Sequence, residues 1–401
     1  MKDRRNHKRT TSRTLSARAG ATIIPCCLAA ALTAVTAVPA YASPDFAYTQ
    51  DRWATLKDNV MEYNELADLV HEYNPTVQNN RVEYQDYYDK DQDDISNEYF
   101  KKAADAADMV QYPNDEDSGY AAKYADAMMA EVTIRSMRQQ GLDNLDDGEI
   151  KGMTYAKTEA GTVQAVQKSM IAYNQYQLQL KQAKENRKYL EAVYHSVQTK
   201  AQAGLATQSD VLTARQNMLD TDTTIAQLER SIQDTRQSLC VATGWRYDAE
   251  PEIRSIPQAD PSAISTLNPS ADKETALAAN YTLKINERKL NNSQDKTSTQ
   301  KLQIAINDNR QKINSDIDLA YNAILQAQVS YQQALAELDV ETKNMETANR
   351  KRQSGSISEL QYLQQENAYV QKQVNAELKN IDLFQALETY QWNVKGLGSS
   401  V

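Results

Sequence analysis

Residues 201–212 read A-Q-A-G-L-A-T-Q-S-D-V-L, and residues 352–363 read R-Q-S-G-S-I-S-E-L-Q-Y-L. Laying Gly204 on Gly355 brings Thr207 onto Ser358, Asp210 onto Gln361 and Leu212 onto Leu363. Each frame follows one long stretch of helical periodicity and precedes another. A frame that recurs at an offset of 151 residues marks an internal repeat, and a repeat constrains every later assignment. The reading is a doubled helical hairpin whose two turns centre on Gly204 and Gly355.

The arms on either side carry the periodicity. Tyr176, Ala183, Leu190 and Val197 lie seven apart before the first turn, and Val211, Met218, Ile225, Ile232 and Leu239 continue after it. Before the second turn Ile317, Ile324, Tyr331, Leu338 and Met345 repeat at seven, with Ala320, Ala327, Ala334 and Ala348 three places later and Glu341 the one break. Sustained apolar heptads predict coiled-coil seams. Glycine supplies the backbone turn without a Cβ penalty. Thr207 and Ser358 stand where the N-cap of each descending arm belongs, and Asp210 falls in a first turn, where a negative charge is favourable.

Outward from the hairpins, residues 1–42 read as a secretory signal peptide. Seven Lys and Arg residues precede an apolar run from Ala21 to Pro39, and Ala40-Tyr41-Ala42 offers a cleavage site. Residues 43–244 form repeat one. It opens with a helix over 51–73, which ends at Asn74-Pro75. An acidic insert follows at 83–149, with short helices over 97–110 and 120–140. The hairpin with its tip at 204 completes the repeat. Thr243-Gly244 stops the descending arm. Residues 245–272 form a connector broken by Pro251, Pro257, Pro261 and Pro269. Residues 273–401 form repeat two. With no Gly or Pro from about Lys273 to Gln353, this stretch reads as one unbroken helix, a rod of roughly 110 Å. The second arm runs from Ser358 to about Val394, and Gly396 and Gly398 close the chain. The fold class is therefore all-α, with long antiparallel coiled-coil hairpins in two repeats.

Composition excludes several functions. Beyond residue 42 the chain holds 37 basic against 53 acidic residues, and the segment 83–149 alone has 18 acids and 6 bases. Nucleic-acid binding needs clustered basic residues and is not expected. Beyond residue 42, Cys240 is the one cysteine and His71 and His195 the only histidines. No intrachain disulfide can form from them, and neither a zinc site nor a Cys–His nucleophile pair is expected. The run Asp89-Lys90-Asp91-Gln92-Asp93-Asp94 invites a calcium-loop reading. An EF-hand, however, needs Gly at its sixth position and Glu at its twelfth, and here Asp94 and Phe100 fall there. No triad, P-loop or dinucleotide fingerprint appears. No catalytic residue, cofactor or metal is expected, and the chain reads as a non-enzyme.

These residues together resemble the TolC family of outer membrane efflux proteins. The tips A-G-L-A-T-Q-S-D-V-L and S-G-S-I-S-E-L-Q-Y-L are similar to that family's two periplasmic hairpin tips. Asn74-Pro75-Thr76-Val77 resembles the start of its first repeat, Asn280-Tyr281-Thr282-Leu283 is a looser counterpart in the second, and Leu239–Trp245 resembles the end of the first. The resemblance implies a homotrimer in which twelve helix strands form a tunnel. It also implies that the tips dock a periplasmic adaptor (membrane-fusion-like) protein linked to an ABC-type or other pump. The docking residues would be Ala203, Gly204, Leu205, Thr207 and Asp210 at one tip, and Ser354, Gly355, Ser356 and Ser358 at the other. The family also carries a pair of β-strands per repeat that join into a membrane barrel. Such strands need alternating apolar and polar residues over about ten positions. Neither 83–149 nor the Asn280–Gly355 interval supplies them, so no barrel is expected. Two function classes follow: an exported envelope conduit of the TolC type, and a secreted coiled-coil structural or adhesive envelope protein.

Overall fold

The computed structural model describes residues 47–114 and 118–398, so the signal-peptide reading of residues 1–42 lies outside the described residues. Helix α1 (Gln50–Leu56) begins at Thr49, whose hydroxyl accepts the Arg52 N–H at 3.2 Å. The helix expected over 51–73 is interrupted. Asp58 accepts the Val60 N–H at 2.8 Å, a side-chain bond that competes with helix continuation. The chain then enters β1 (Val60–Met61), which pairs in parallel with β2 (Glu252–Ile253). A 3-10 turn over Tyr63–Glu65 leads into α2 (Leu66–Tyr73). The sequence pattern missed this break because the partner strand is almost two hundred residues away.

Helix α3 (Pro75–Gln85) follows, then α4 (Gln92–Asp108) and α5 (Tyr120–Leu142). The acidic insert is thus a helical hairpin. Its base is tied by a reciprocal pair: the Gln92 amide donates to the Asn144 carbonyl at 2.7 Å, and the Asn144 amide donates to the Gln92 carbonyl at 3.1 Å. Asp91 caps α4 by accepting the Asp94 N–H at 2.8 Å, which accounts for part of the acidic run as capping chemistry.

The first long hairpin joins α6 (Gly148–Gln202) to α7 (Gln208–Ala242). Helix α6 starts inside the limits read for the insert, on Asp147, whose carboxylate accepts the Ile150 N–H at 2.9 Å. In repeat two the unbroken helix expected over 273–353 is instead three helices: α8 (Pro269–Ala279), α9 (Tyr281–Asn292) and α10 (Lys296–Gln353). Neither break uses Gly or Pro. Asn280 accepts the Leu283 N–H at 2.9 Å, and Asp295 accepts the Ser298 N–H at 2.7 Å. Short polar side chains can restart a helix by capping it, and that is what ends the run here. The rod shortens to the 58 residues of α10, about 87 Å at 1.5 Å per residue. Helix α8 also begins within the stretch read as connector. Helix α11 (Glu359–Trp392) and a π-helical turn over Asn393–Leu397 complete the described chain.

Every heptad residue named above is buried or half-buried. Helix α6 packs on α7, α11 packs on α6, and α10 packs on α11, so the long helices lie in the order α7–α6–α11–α10. The main core sits at the tip-distal part of this layer. There Trp53, Met61, Leu66, Leu69 and Val70 of the N-terminal segment, Ile256 and Ile264 of the connector, and Leu283 of α9 pack with Met170, Leu239, Ile317, Leu383 and Tyr390 of the long helices.

Both repeats close in the same way. Asn74 accepts the Thr76 and Val77 N–H groups and donates its amide to the Ala242 carbonyl at 2.8 Å, at the end of α7. Asn280 caps α9 and donates to the Gly396 and Gly398 carbonyls at 3.2 and 2.8 Å, just past α11. Each asparagine thus starts one helix and fastens the end of another in the same repeat. Beside them, Gly244 has φ 80° and Gly396 φ 98°. A Cβ at Gly244 would lie 2.3 Å from the Tyr73 Cβ, and one at Gly396 would lie 2.4 Å from the Ala279 carbonyl oxygen. No helix among the described residues is long and apolar enough to cross a membrane.

Candidate docking site at the hairpin tips

Each tip is built from the same bonds. At the first, the Gly204 N–H donates to the Ala201 carbonyl at 3.0 Å and the Leu205 N–H to the Lys200 carbonyl at 2.8 Å. At the second, the Gly355 N–H donates to the Arg352 carbonyl at 3.0 Å and the Ser356 N–H to the Lys351 carbonyl at 2.8 Å. The bond reaching back five residues is the one that closes a Schellman-type helix end, with the left-handed residue inside it. Gly204 and Gly355 provide that residue, at φ 73° and 68°. Nothing lies within 4 Å of a Cβ built on either, so their conformation comes from the turn and not from crowding.

The restart is also duplicated. The Thr207 hydroxyl accepts the Asp210 N–H at 3.1 Å while an Asp210 carboxylate oxygen accepts the Thr207 N–H at 2.8 Å. Ser358 and Gln361 make the same reciprocal pair at 3.3 and 2.9 Å. This is a capping box, and it satisfies two helix N–H groups that would otherwise lack partners. The Thr207 backbone N–H, helped by the Thr207 hydroxyl, holds the Asp210 carboxyl below its ordinary pKa. Gln361 fills the same place without a charge.

The nine residues read as docking positions fall into these two turns. Ala203, Gly204, Leu205, Thr207 and Asp210 are all exposed at one, and Ser354, Gly355, Ser356 and Ser358 at the other. Leu205 is 78 % exposed, which makes it the apolar point of the first tip. The second tip has no such residue. It has instead Arg350, Lys351 and Arg352 in the last turn of α10. Arg352 pairs with Glu359 at 3.0 Å and lies over the Tyr362 ring at 3.9 Å. The run A-N-R-K-R-Q is legible in the sequence, but most of it precedes the frame that the two tips share.

The flanks of the helix layer are a second surface that the heptad reading did not identify. On α7 the residues Leu212, Gln216, Leu219, Thr223, Ala226, Arg230 and Gln233 alternate steps of four and three, and all are exposed. On α10 the exposed residues Ser315, Leu319, Asn322, Gln326, Val329, Gln333, Ala336 and Val340 do the same. Leu319 and Val329 are more than 60 % exposed. Each outer helix therefore carries a second heptad stripe, turned away from its own hairpin partner. The signal was available as a second four-three phase on each helix.

Among the described residues no group of three or more His, Cys, Asp or Glu side chains is placed to hold a metal ion. Cys240 is buried, its thiol donates toward the Ala249 carbonyl at 3.7 Å, and burial pushes its pKa up.

With this geometry in place, the comparisons agree with the resemblance to the TolC family. Residues 148–245, spanning α6, the first tip and α7, match the family model of the outer membrane efflux protein. No curated protein is a significant sequence match. The outer membrane channel CmeC of Campylobacter jejuni has a similar fold, with a TM-score of 0.50 at 10 % identity, over 87 % of this chain and 88 % of that one. The outer-membrane channel OprN aligns with a TM-score of 0.51 at 10 % identity, over 87 % of this chain and 93 % of that one. The chain has the TolC-like helical fold. The only strands among the described residues are β1 and β2. In repeat one the α4–α5 hairpin lies between α3 and α6, and in repeat two residues 293–295 alone separate α9 from α10.

Proposed function

We propose that this protein is a non-catalytic, TolC-like efflux or secretion conduit component of the cell envelope. Three copies assemble side by side, and their six tips dock a periplasmic adaptor coupled to an ABC-type or other pump. The observation that carries the reading is the pair of exposed, part-apolar stripes on α7 and α10. They lie on opposite flanks of one helix layer, so the α7 flank of one copy can pack against the α10 flank of the next. A contact between two different surfaces propagates head to tail, and it closes into a ring when the rotation per subunit allows. Apolar positions separated by Gln, Asn and Thr suit a close but polar-tolerant helix contact of that kind. The duplicated turns support the tip assignment, because both hairpins present short exposed side chains at one end. An exported chain with these flanks works outside the cytoplasm.

The test is the mass of the purified protein by light scattering, beside a Val329→Glu variant and pull-down of a co-encoded adaptor. The expected result is a trimer that V329E breaks into monomers while helicity by circular dichroism is kept, with the adaptor retained by the trimer. A wild-type protein that is monomeric at every concentration and retains no adaptor would replace this reading with that of a coiled-coil structural protein.

A further inference from the structure

Away from the tips, an open cleft of about 610 Å³ lies between the N-terminal segment and the end of repeat two, lined in part by Tyr48, His71, Glu159, Trp392 and Lys395. His71 on α2 forms part of its wall, and three elements converge on the ring. From α6, a Glu159 carboxylate oxygen stands 2.6 Å from Nδ1. From α3, the Arg81 guanidinium stands 3.0 Å from Nε2 and also donates to the His71 carbonyl at 2.8 Å. From α2 itself, the fully buried Glu72 places a carboxylate oxygen 3.8 Å from the same Nε2. Asp68, one turn earlier, is engaged by Arg52 at 2.7 Å. Glu388 on α11 accepts the Tyr63 hydroxyl at 3.0 Å, and Lys395 lies on the far wall.

The chemistry of these partners fixes the proton. A guanidinium can only donate, so Nε2 must accept from Arg81, and the single ring proton of the neutral imidazole is then on Nδ1, facing Glu159. Adding a second proton creates an N–H on Nε2 that points at another donor. The same proton is favourable toward Glu72. One protonation event therefore keeps the bond to α6, cancels a bond to α3 and creates an attraction within α2. The Glu159 carboxylate, hydrogen-bonded to the ring, raises the His71 pKa against the opposing effect of burial, and His71 in turn lowers that of Glu159. A raised folded-state pKa means that this linkage stabilises the fold fully below the unfolded pKa of about 6.5 and is lost as pH rises through the folded value.

We propose that His71 is a proton-operated selector: neutral, it fastens α3 and α6 to α2 together; protonated, it holds α6 alone and turns from Arg81 to Glu72. Arg81 keeps its bond to the His71 carbonyl, so α3 loosens and does not detach. Because α3 leads through residues 86–91 into the α4–α5 hairpin, the loosening begins on the side of the insert, away from the tips.

The test uses the full chain. Hydrogen exchange over residues 75–85, corrected for the intrinsic pH dependence of exchange, is measured at about pH 8 and about pH 5.5, either side of the ordinary histidine pKa. Wild type should lose protection at the lower pH by about three- to tenfold, the equivalent of one such hydrogen bond. His71→Gln, which cannot take the second proton, should show no such difference. Nitrogen NMR of the wild-type imidazole should find the Nδ1–H form at the higher pH, and Glu72→Gln should lower the His71 pKa. An Nε2–H imidazole at pH 8, a His71 pKa unchanged by E72Q, or the same loss of protection in a folded H71Q protein would each overturn the proposal.

Discussion

Replacing Asn280 separates two jobs that one side chain performs. Its Oδ1 caps α9 through the Leu283 N–H, and its Nδ2 satisfies the carbonyls of Gly396 and Gly398, all with the residue 1 % exposed. In Asn280→Ala both are lost. The cap contributes about 1 kcal/mol. Leaving buried carbonyls without a donor costs about 1–3 kcal/mol more. The expected destabilisation is about 2–4 kcal/mol, a fall of roughly thirty- to a thousandfold in the folding equilibrium. Asn280→Asp isolates the second job, because Asp is as good an N-cap as Asn. Its carboxylate would face two carbonyl oxygens, which raises its folded-state pKa above the ordinary value of about 3.9. A group with a raised folded pKa is best tolerated below its unfolded pKa, so the deficit of N280D should grow as pH rises through the folded value. Urea unfolding followed by circular dichroism at several pH values reads both variants. If N280A costs under about 1 kcal/mol, or N280D matches wild type at neutral pH, the asparagine does not fasten the end of α11 and the closure argument fails.

The paired glycines give a second contrast, read as thermal unfolding. Gly244→Ala combines positive φ with a Cβ 2.3 Å from Tyr73 and should cost more than about 3 kcal/mol, whereas Gly204→Ala, open around its Cβ, should cost only about 1 kcal/mol of backbone strain. Equal losses would contradict this assignment of closure and tip. The two capping boxes should part company in acid. Asp210 has a depressed pKa, so its contribution is present above the unfolded pKa and lost as pH falls through the folded one, while Gln361 does not titrate. Hydrogen exchange at the start of α7 should therefore quicken on acidification more than at the start of α11. Leu205→Asp should leave helicity intact and weaken retention of the adaptor; unchanged retention would remove the first tip from the docking surface.

The long arms and their turns were legible because they rest on local information. Apolar residues every seven positions identify a buried stripe wherever the partner helix lies, and Gly followed by Thr207 or Ser358 identifies an end and a restart within a few residues. The breaks that were missed have other causes. Asn280 and Asp295 interrupt a helix by capping, and in a run free of Gly and Pro the one pointer to either is the loose match of Asn280 to Asn74, a match that lacks the proline. The strand at Val60–Met61 exists because Glu252–Ile253 is beside it, a pairing that sequence separation hides. Residues 92–142 could be read as two short helices, but not as a hairpin tied at its base by Gln92 and Asn144.

The repeat extends from the tips to the closures. Its offset places Gly204 on Gly355, and a shift of one further residue places Gly244 on Gly396. All four glycines have positive φ, yet they do different work. The tip glycines face open space and leave a short, exposed turn that another molecule can approach. The closure glycines let the end of a long helix press against the residue before a capping asparagine, Tyr73 in one repeat and Ala279 in the other. Each repeat thus has one end built for exposure and one end built for contact, made from the same backbone conformation. The proposed docking at the tips rests on that polarity, and the core, the connector and the His71 cleft lie at the other end. It also explains why the insert between the repeats' short and long helices can differ so widely, from the α4–α5 hairpin to three residues. The asparagine and glycine close each repeat through the residues on either side of the insert, and do not depend on what the insert contains.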